Sequence, residues 1–146
     1  FAIIGVIIVV FQGGLIHRLT KRFGSWKLLW LGVIVEGVSL MAIAHTQNLP
    51  QLIGVSIVMA VGNSLCSPSI LALISKHAPA SEQGQTMGIS QASAALGRIL
   101  GPILGGMVWG VFGHTTAFLA GGIVVIAALP FAVLAFRRAG KEPAVA

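Results

Sequence analysis

Gly97-Arg98-Ile99-Leu100-Gly101-Pro102-Ile103-Leu104-Gly105-Gly106 is the stretch on which the fold of this chain turns. Gly97, Gly101 and Gly105 recur every fourth residue, so on a helix they share one face and form a stripe without side chains that lets a second helix's backbone approach closely. Pro102 lies in that stripe and sets a bend, because it removes a backbone hydrogen bond. The stretch sits inside Gly88–Phe112, where Arg98 is the single charge. An apolar run of this length meets the roughly 20 residues that a helix needs to cross a bilayer. Outward in both directions the same pattern repeats, giving further apolar segments at Phe1–Ile16, Leu28–Ala44, Leu52–Ser75 and Thr116–Phe136. None alternates with period two, and each is too long for a barrel strand, so all are read as helices. The expected fold class is all-α integral membrane, a polytopic transmembrane helix bundle of five spans. The first span, at the short margin, is read as a helix cut by the beginning of a fragment or as one that borrows a turn from the following segment.

Composition supports the same class. Of the 146 residues, 56% are hydrophobic and 8% charged, whereas a soluble domain carries roughly 25% charged residues to cover its surface. The net charge of +6 does not read as a nucleic-acid surface, because the basic residues are not gathered on a solvated, aromatic-studded face. It reads as topology. Arg18, Lys21, Arg22, Lys27, Lys76, Arg137, Arg138 and Lys141 all fall on one side when the connections 17–27, 45–51, 76–87, 113–115 and the tail 137–146 are assigned alternately, and the other side has no Lys or Arg. By the positive-inside rule the basic side, with the C-terminus, is cytoplasmic. Asn48-Leu49-Pro50 closes an external turn, Ser81 is the expected N-cap of the fourth segment, and Pro68 is expected to kink the third with Ser64 and Ser67 nearby to re-satisfy the backbone. Trp26 and Trp30 read as interface anchors. Cys66 stands alone, which excludes a disulfide framework and a Cys-based metal site.

A second motif lies between the first two apolar segments. Gly14-Leu15-Ile16-His17-Arg18-Leu19-Thr20-Lys21-Arg22-Phe23-Gly24-Ser25-Trp26-Lys27 is a short basic loop, whose cations suit a helix C-terminus or grip carboxylates and lipid phosphates. A G-x-L-x-x-R-L-x-x-R-F-G segment between two spans, followed three spans later by G-x-x-x-G-P-x-x-G-G, resembles the major facilitator superfamily, especially its drug:proton antiporters. The resemblance covers nearly the whole chain. It implies two six-helix halves that rock about a midplane site, and it places this chain in the C-terminal half, as helices eight to twelve. His17 stands where the N-terminal half would carry Asp, and no basic residue lies between Leu52 and Ser75. The functional groups that follow from the resemblance are a packing and gating stripe, Gly97, Gly101, Pro102, Gly105 and Gly106, and a cytoplasmic latch, Gly14, Arg18, Lys21, Arg22, Gly24 and Lys27.

Two charges fall within spans, and intramembrane charges are functional candidates. Glu36 lies nine residues beyond Lys27 and Arg98 eleven beyond Met87, which puts them about 14 and 16 Å deep at roughly 1.5 Å per residue. They are expected either to form a buried pair or to act separately, Glu36 in proton coupling or helix–helix hydrogen bonding. Asn63, Ser64, Ser67 and Ser69 on the third segment, and Ser90, Gln91, Ser93 and Arg98 on the fourth, are candidates for the substrate path, the uncharged ones alternatively for interhelical hydrogen bonds, with Gln12 as a weaker candidate. His17, His45, His77 and His114 lack metal-ligand spacing, no nucleophile–base pair appears, and neither metal nor cofactor is expected. The implied function is alternating-access transport of a small molecule, with proton-coupled efflux preferred over uptake of a sugar or metabolite, over a non-transporting membrane scaffold, and over an enzyme. The implied partners are membrane lipid, the missing N-terminal half, a small-molecule substrate and protons, without nucleic acid. The implied location is a bacterial inner membrane.

Overall fold

A computed structural model describes residues 16–79 and 81–139 of the chain. Phe1 to residue 15, with Gln12 and Gly14, and the tail from residue 140 with Lys141, lie outside the described residues. Three α-helices follow one another: α1 (Ile16–Ile43), α2 (Leu49–His77) and α3 (Gln83–Ala139). No strand occurs among the described residues. Each helix contains a stretch long and apolar enough to cross a membrane, Arg22–Ile43, Leu49–Lys76 and Gln83–Leu134.

Two glycines interrupt this regularity. Gly24 in α1 has φ 78° and ψ 150°, and Gly113 in α3 has φ 82° and ψ 170°, a region of backbone space open essentially to glycine alone. The basic loop expected over 17–27 is therefore helical on both sides of a single break at Gly24. From Ile16 on, the motif is helical because nothing in it but Gly24 opposes helix. At Gly113 the break falls where a three-residue connection was expected. The 57 residues of α3 would be about 85 Å long if straight, against a hydrocarbon core of about 30 Å. Across the break, the Trp109 ring meets Phe118 edge-on at 5.9 Å between centroids, and Thr116 Oγ1 donates to the Phe112 carbonyl at 3.0 Å.

The turn between α1 and α2 forms as Asn48-Leu49-Pro50 predicts. Asn48 is extended at the N-cap with Pro50 in the first turn, and Gln51 Oε1 accepts from the Gln47 N–H at 3.1 Å, satisfying one donor ahead of the helix. The start of α3 falls one residue later than the expected Ser81 cap: the Glu82 carbonyl accepts the first helical bond, from the Thr86 N–H at 2.9 Å. Pro79 shapes this start, since its carbonyl holds the Glu82 N–H at 2.9 Å.

Packing joins α1, α2 and the part of α3 after Gly113. Leu29 and Val33 of α1, Cys66 and Leu73 of α2, and Leu129 of α3 form the core, with Trp26 and Val125 packed against it. Trp26, expected at the membrane interface, is thus partly drawn into the bundle, whereas Trp30 is exposed. Water does not drive this packing in a bilayer, so close van der Waals fit must carry it. Two glycine crossings supply that fit. A β-carbon on Gly62 would lie 2.8 Å from the Glu36 amide nitrogen and 3.0 Å from the Gly32 carbonyl, and one on Gly32 would lie 2.8 Å from the Cys66 amide nitrogen. A β-carbon on Gly37 would meet Ile126 Cγ1 at 2.6 Å, and one on Gly122 would meet the Gly37 carbonyl at 2.6 Å. The α1 backbone is the shared axis, touching α2 at Gly32 and α3 at Gly37.

Candidate functional site

The α1–α2 crossing puts one charged group beside one carboxamide. Gly32 and Gly62 let the two backbones approach, and Asn63, the residue after Gly62, donates from Nδ2 to Glu36 Oε1 at 3.1 Å. An ionised carboxylate only accepts hydrogen bonds, so the amide nitrogen is the end of Asn63 that must face it. Glu36 is half-buried and Asn63 exposed. Sequence reasoning named both residues but did not join them, because they are 27 positions apart and the glycines that bring them together follow no fixed spacing.

The neighbouring polar residues of α2 divide into two groups. Ser64 is fully buried, and its hydroxyl donates to the Ala60 carbonyl at 2.8 Å. Ser69 is also buried and donates to the Leu65 carbonyl at 2.6 Å. Both hydroxyls are thus held within their own helix, and neither reaches the carbonyl that Pro68 leaves without its donor. Ser67 is exposed, one turn from Asn63. A small apolar cavity of about 210 Å³ opens elsewhere, where the three helices meet, between Leu29, Val33, Ile70, Ile74, Ala128 and Leu129.

The residues of α3 before Gly113 are placed differently. Gln91, Ser93 and Arg98 are exposed and Ser90 is half-buried, with the Ser93 hydroxyl donating to the Ile89 carbonyl at 2.9 Å. Among the described residues no ion pair joins Arg98 to Glu36, whose carboxylate is held by Asn63 instead. β-Carbons built on Gly97, Gly101, Gly105 and Gly106 would meet nothing within 4 Å. Among the described residues the stripe read from the sequence is a smooth face that nothing covers, and the glycines that make contact are others.

On the basic segment, Arg22, Gly24 and Lys27 are exposed, and the Arg22 guanidinium lies 6.0 Å from the Phe23 ring centroid. The side chains of His17, Arg18, Lys21, His77, Arg137 and Arg138 fall outside what the structure describes. No cluster of His, Cys, Asp or Glu among the described residues could hold a metal ion.

The sequence profile of the Major Facilitator Superfamily matches residues 1–146, the whole chain. The chain belongs to the Major Facilitator Superfamily. It is an integral, multi-pass membrane protein, and proteins of this superfamily are transporters and not enzymes. Among its relatives, a riboflavin transporter of Clostridioides difficile is 31% identical over 102 residues, 70% of this chain and 22% of the relative. A multi-drug resistance efflux pump homolog of Lactococcus lactis is 24% identical over 121 residues, 83% of this chain and 30% of the relative. Multidrug resistance protein 1 of Bacillus subtilis is 29% identical over 129 residues, 85% and 32% of the two chains. The chain thus spans between about a fifth and a third of the length of these superfamily relatives. No solved structure matches it.

Proposed function

We propose that this superfamily member works in the export of a small molecule, a drug or a metabolite, by proton-coupled alternating access, and that its residues form helices eight to twelve of a twelve-helix transporter. The names of the multidrug and riboflavin transport relatives support the activity. The observation that carries the structural side is the uncovered Gly97–Gly106 face. In a membrane, a helix face without side chains gains nothing from lipid and much from another helix, and the rest of the transporter supplies that helix. The halves then slide or bend against each other at this face around a midplane site.

In this reading, the breaks at Gly24 and Gly113 separate crossings, so that the described residues hold four spans and the residues before them a fifth. The basic segment around Arg22 and Lys27, with Lys76, faces the cytoplasm, as does the C-terminus, in a bacterial inner membrane. Asn63, Ser67 and the polar residues near the start of the fourth span line the route of the substrate. Glu36 is the coupling acid, since of the chain's three acidic residues it alone lies inside an apolar segment.

The test uses the full-length protein in inside-out vesicles. Gly101→Leu with Gly105→Leu fills the smooth face, and transport of a fluorescent drug is expected to vanish while the protein still inserts. Transport at the wild-type rate would remove the gliding role of this face. Proton release measured with substrate addition is expected in wild type and to be lost in Glu36→Gln; an unchanged proton signal would remove the coupling role.

A further inference from the structure

We propose that the apolar cavity where the three helices meet binds one acyl chain of an anionic phospholipid, whose phosphate is held by the cations at the nearby ends of the crossings. The site takes from the transport reading above only its assignment of crossings, and it holds whatever molecule is transported. Shape, depth and charge lead to it.

The cavity holds about 210 Å³ and apolar side chains alone line it. Leu29, Val33 and Leu129, all buried, form its floor, while Ile70 and Ala128 at its edge are exposed. α1 packs on both other helices, and those two touch each other far less, so the hollow is a groove between α2 and α3 with α1 beneath it. Its wall on α3 is low, because Ala128 and Ala132, one turn apart, carry a single side-chain carbon each. Water gains little in such a place, since a water molecule needs two or more polar partners. Left empty, the lining residues lose the dispersion contacts of one side. An apolar cavity of roughly 150 Å³ takes up a molecule the size of benzene, so this larger one accommodates a stretch of hydrocarbon. In a bilayer the hydrocarbon at hand is an acyl chain.

Depth and charge then select the kind of lipid. Leu29 and Val33 lie two and six residues beyond Lys27, and Ile74 and Ile70 lie two and six residues before Lys76. On both helices the cavity therefore occupies the stretch from about 3 to about 9 Å beyond the lysine. On α3, Arg137 follows Ala132 by five residues, so all three elements reach their cations toward the same end of the groove. Lys27 and Lys76 are exposed and stand at the level of the groove's mouth, not in its wall. Against the eight Lys and Arg residues of this side the chain sets Glu82 and Glu142, so the excess charge is positive. A phospholipid carries its phosphate one glycerol unit away from the first methylenes of its chains, which matches a cationic mouth just outside an apolar groove. Each Lys near a membrane surface favours an anionic lipid by about fivefold. A free apolar molecule fills the groove but leaves the cations unmatched, and phosphatidylcholine brings a cation of its own beside its phosphate.

The test uses the full-length protein, purified and reconstituted in phosphatidylcholine vesicles that contain a small share of a photoreactive lipid. The lipid carries a diazirine early in one acyl chain and either a phosphatidylglycerol or a phosphatidylcholine headgroup, and both leaflets contain it. After irradiation, wild-type protein is expected to bear adducts on residues 70–74 and 128–132, more from the phosphatidylglycerol probe than from the other. Lys27→Gln and Lys76→Gln are each expected to lower that preference about fivefold. Ala128→Leu, which fills the groove, is expected to remove the adducts on residues 70–74 for both probes. Absence of adducts on both stretches in wild type overturns the site, because another part of the protein then covers the groove. Equal labelling by the two probes overturns it as well, as does a preference unchanged in both lysine variants. Labelling unchanged in Ala128→Leu marks attraction to the surface without a chain in the groove, and also overturns it. The wild-type map does not depend on the folding of any variant. Transport of a fluorescent drug, followed in the same vesicles, separates the two readings: adducts without transport overturn the export reading alone, and transport without adducts overturns the lipid site alone.

Discussion

A methyl group on Gly62 would fall 2.8 Å from a backbone nitrogen, and one on Gly37 2.6 Å from Ile126 Cγ1 and 3.1 Å from the Gly122 carbonyl. At Gly37 the nearest atom belongs to a side chain that can turn aside, whereas at Gly62 the obstacle is the α1 backbone itself. Overpacking of a tight site costs about 1–3 kcal/mol even when side chains can adjust. Gly62→Ala is therefore expected to lower the thermal unfolding midpoint of the detergent-solubilised protein more than Gly37→Ala. Gly101→Ala, with open space around it, adds no clash within this chain. Equal midpoints for Gly62→Ala and Gly101→Ala would show that the α1–α2 crossing is looser than 2.8 Å implies. The same contrast explains what could be read from the residues beforehand. Gly97, Gly101 and Gly105 announce themselves by a spacing of four on one helix. Gly32 with Gly62, and Gly37 with Gly122, are paired across helices, so their relation exists in space and has no period along the chain. Glu36 and Asn63 were each visible as polar residues in apolar runs, but their hydrogen bond depends on the Gly32–Gly62 approach and was equally hidden.

At the scale of the element, length and punctuation were the legible quantities. The turn at Asn48–Pro50 and the break at Gly113 follow from local chemistry, a proline most readily accommodated in the first helical turn and a glycine admitted to a conformation that other residues avoid. The basic segment was the harder case. Its charges spoke against a membrane and were read as a loop, yet Leu19 to Phe23 has no helix breaker, and α1 runs through it with a single break at Gly24. Polarity reports where a helix leaves the bilayer, and only the backbone reports where it ends. Gly24 at φ 78° and Gly113 at φ 82° have open space around them, so an added β-carbon would meet no neighbour and its cost would be conformational alone. Gly113→Ala is expected to destabilise the protein by roughly 1–3 kcal/mol, read as a lower unfolding midpoint, with little change for Gly110→Ala, which has the same open space and an ordinary helical φ. Equal effects at the two positions would show that the break does not depend on glycine at 113.

For the whole molecule, the decisive quantity is the side of the membrane on which each connection lies. Arg22 and Lys27 flank the break at Gly24 and Lys76 lies at the end of α2, whereas the turn at 44–48 and the break at 113–115 carry no Lys or Arg. Moving a guanidinium or ammonium through hydrocarbon is costly enough that this asymmetry sets orientation during insertion. The chain's single cysteine, Cys66, is buried in the core, so a cysteine added at an exposed position reports with little background. Cysteines at Gln47 and His114, both exposed, are expected to react with a membrane-impermeant maleimide applied to intact cells expressing the full-length protein. Cysteines at Lys27 and Gly84, also exposed, are expected to react only after the membrane is opened. Inversion of both pairs would place the basic segment outside and overturn the assignment of Arg22 and Lys27 to a cytoplasmic latch. A mixed result within the second pair would mean that α2 does not cross the membrane fully. A mixed result within the first pair, with His114 inside, would mean that the part of α3 before Gly113 does not cross, and the four crossings assigned to the described residues would fall to fewer. The labelling therefore examines the charge rule and the glycine break together, and the pattern of the four sites tells which of them fails.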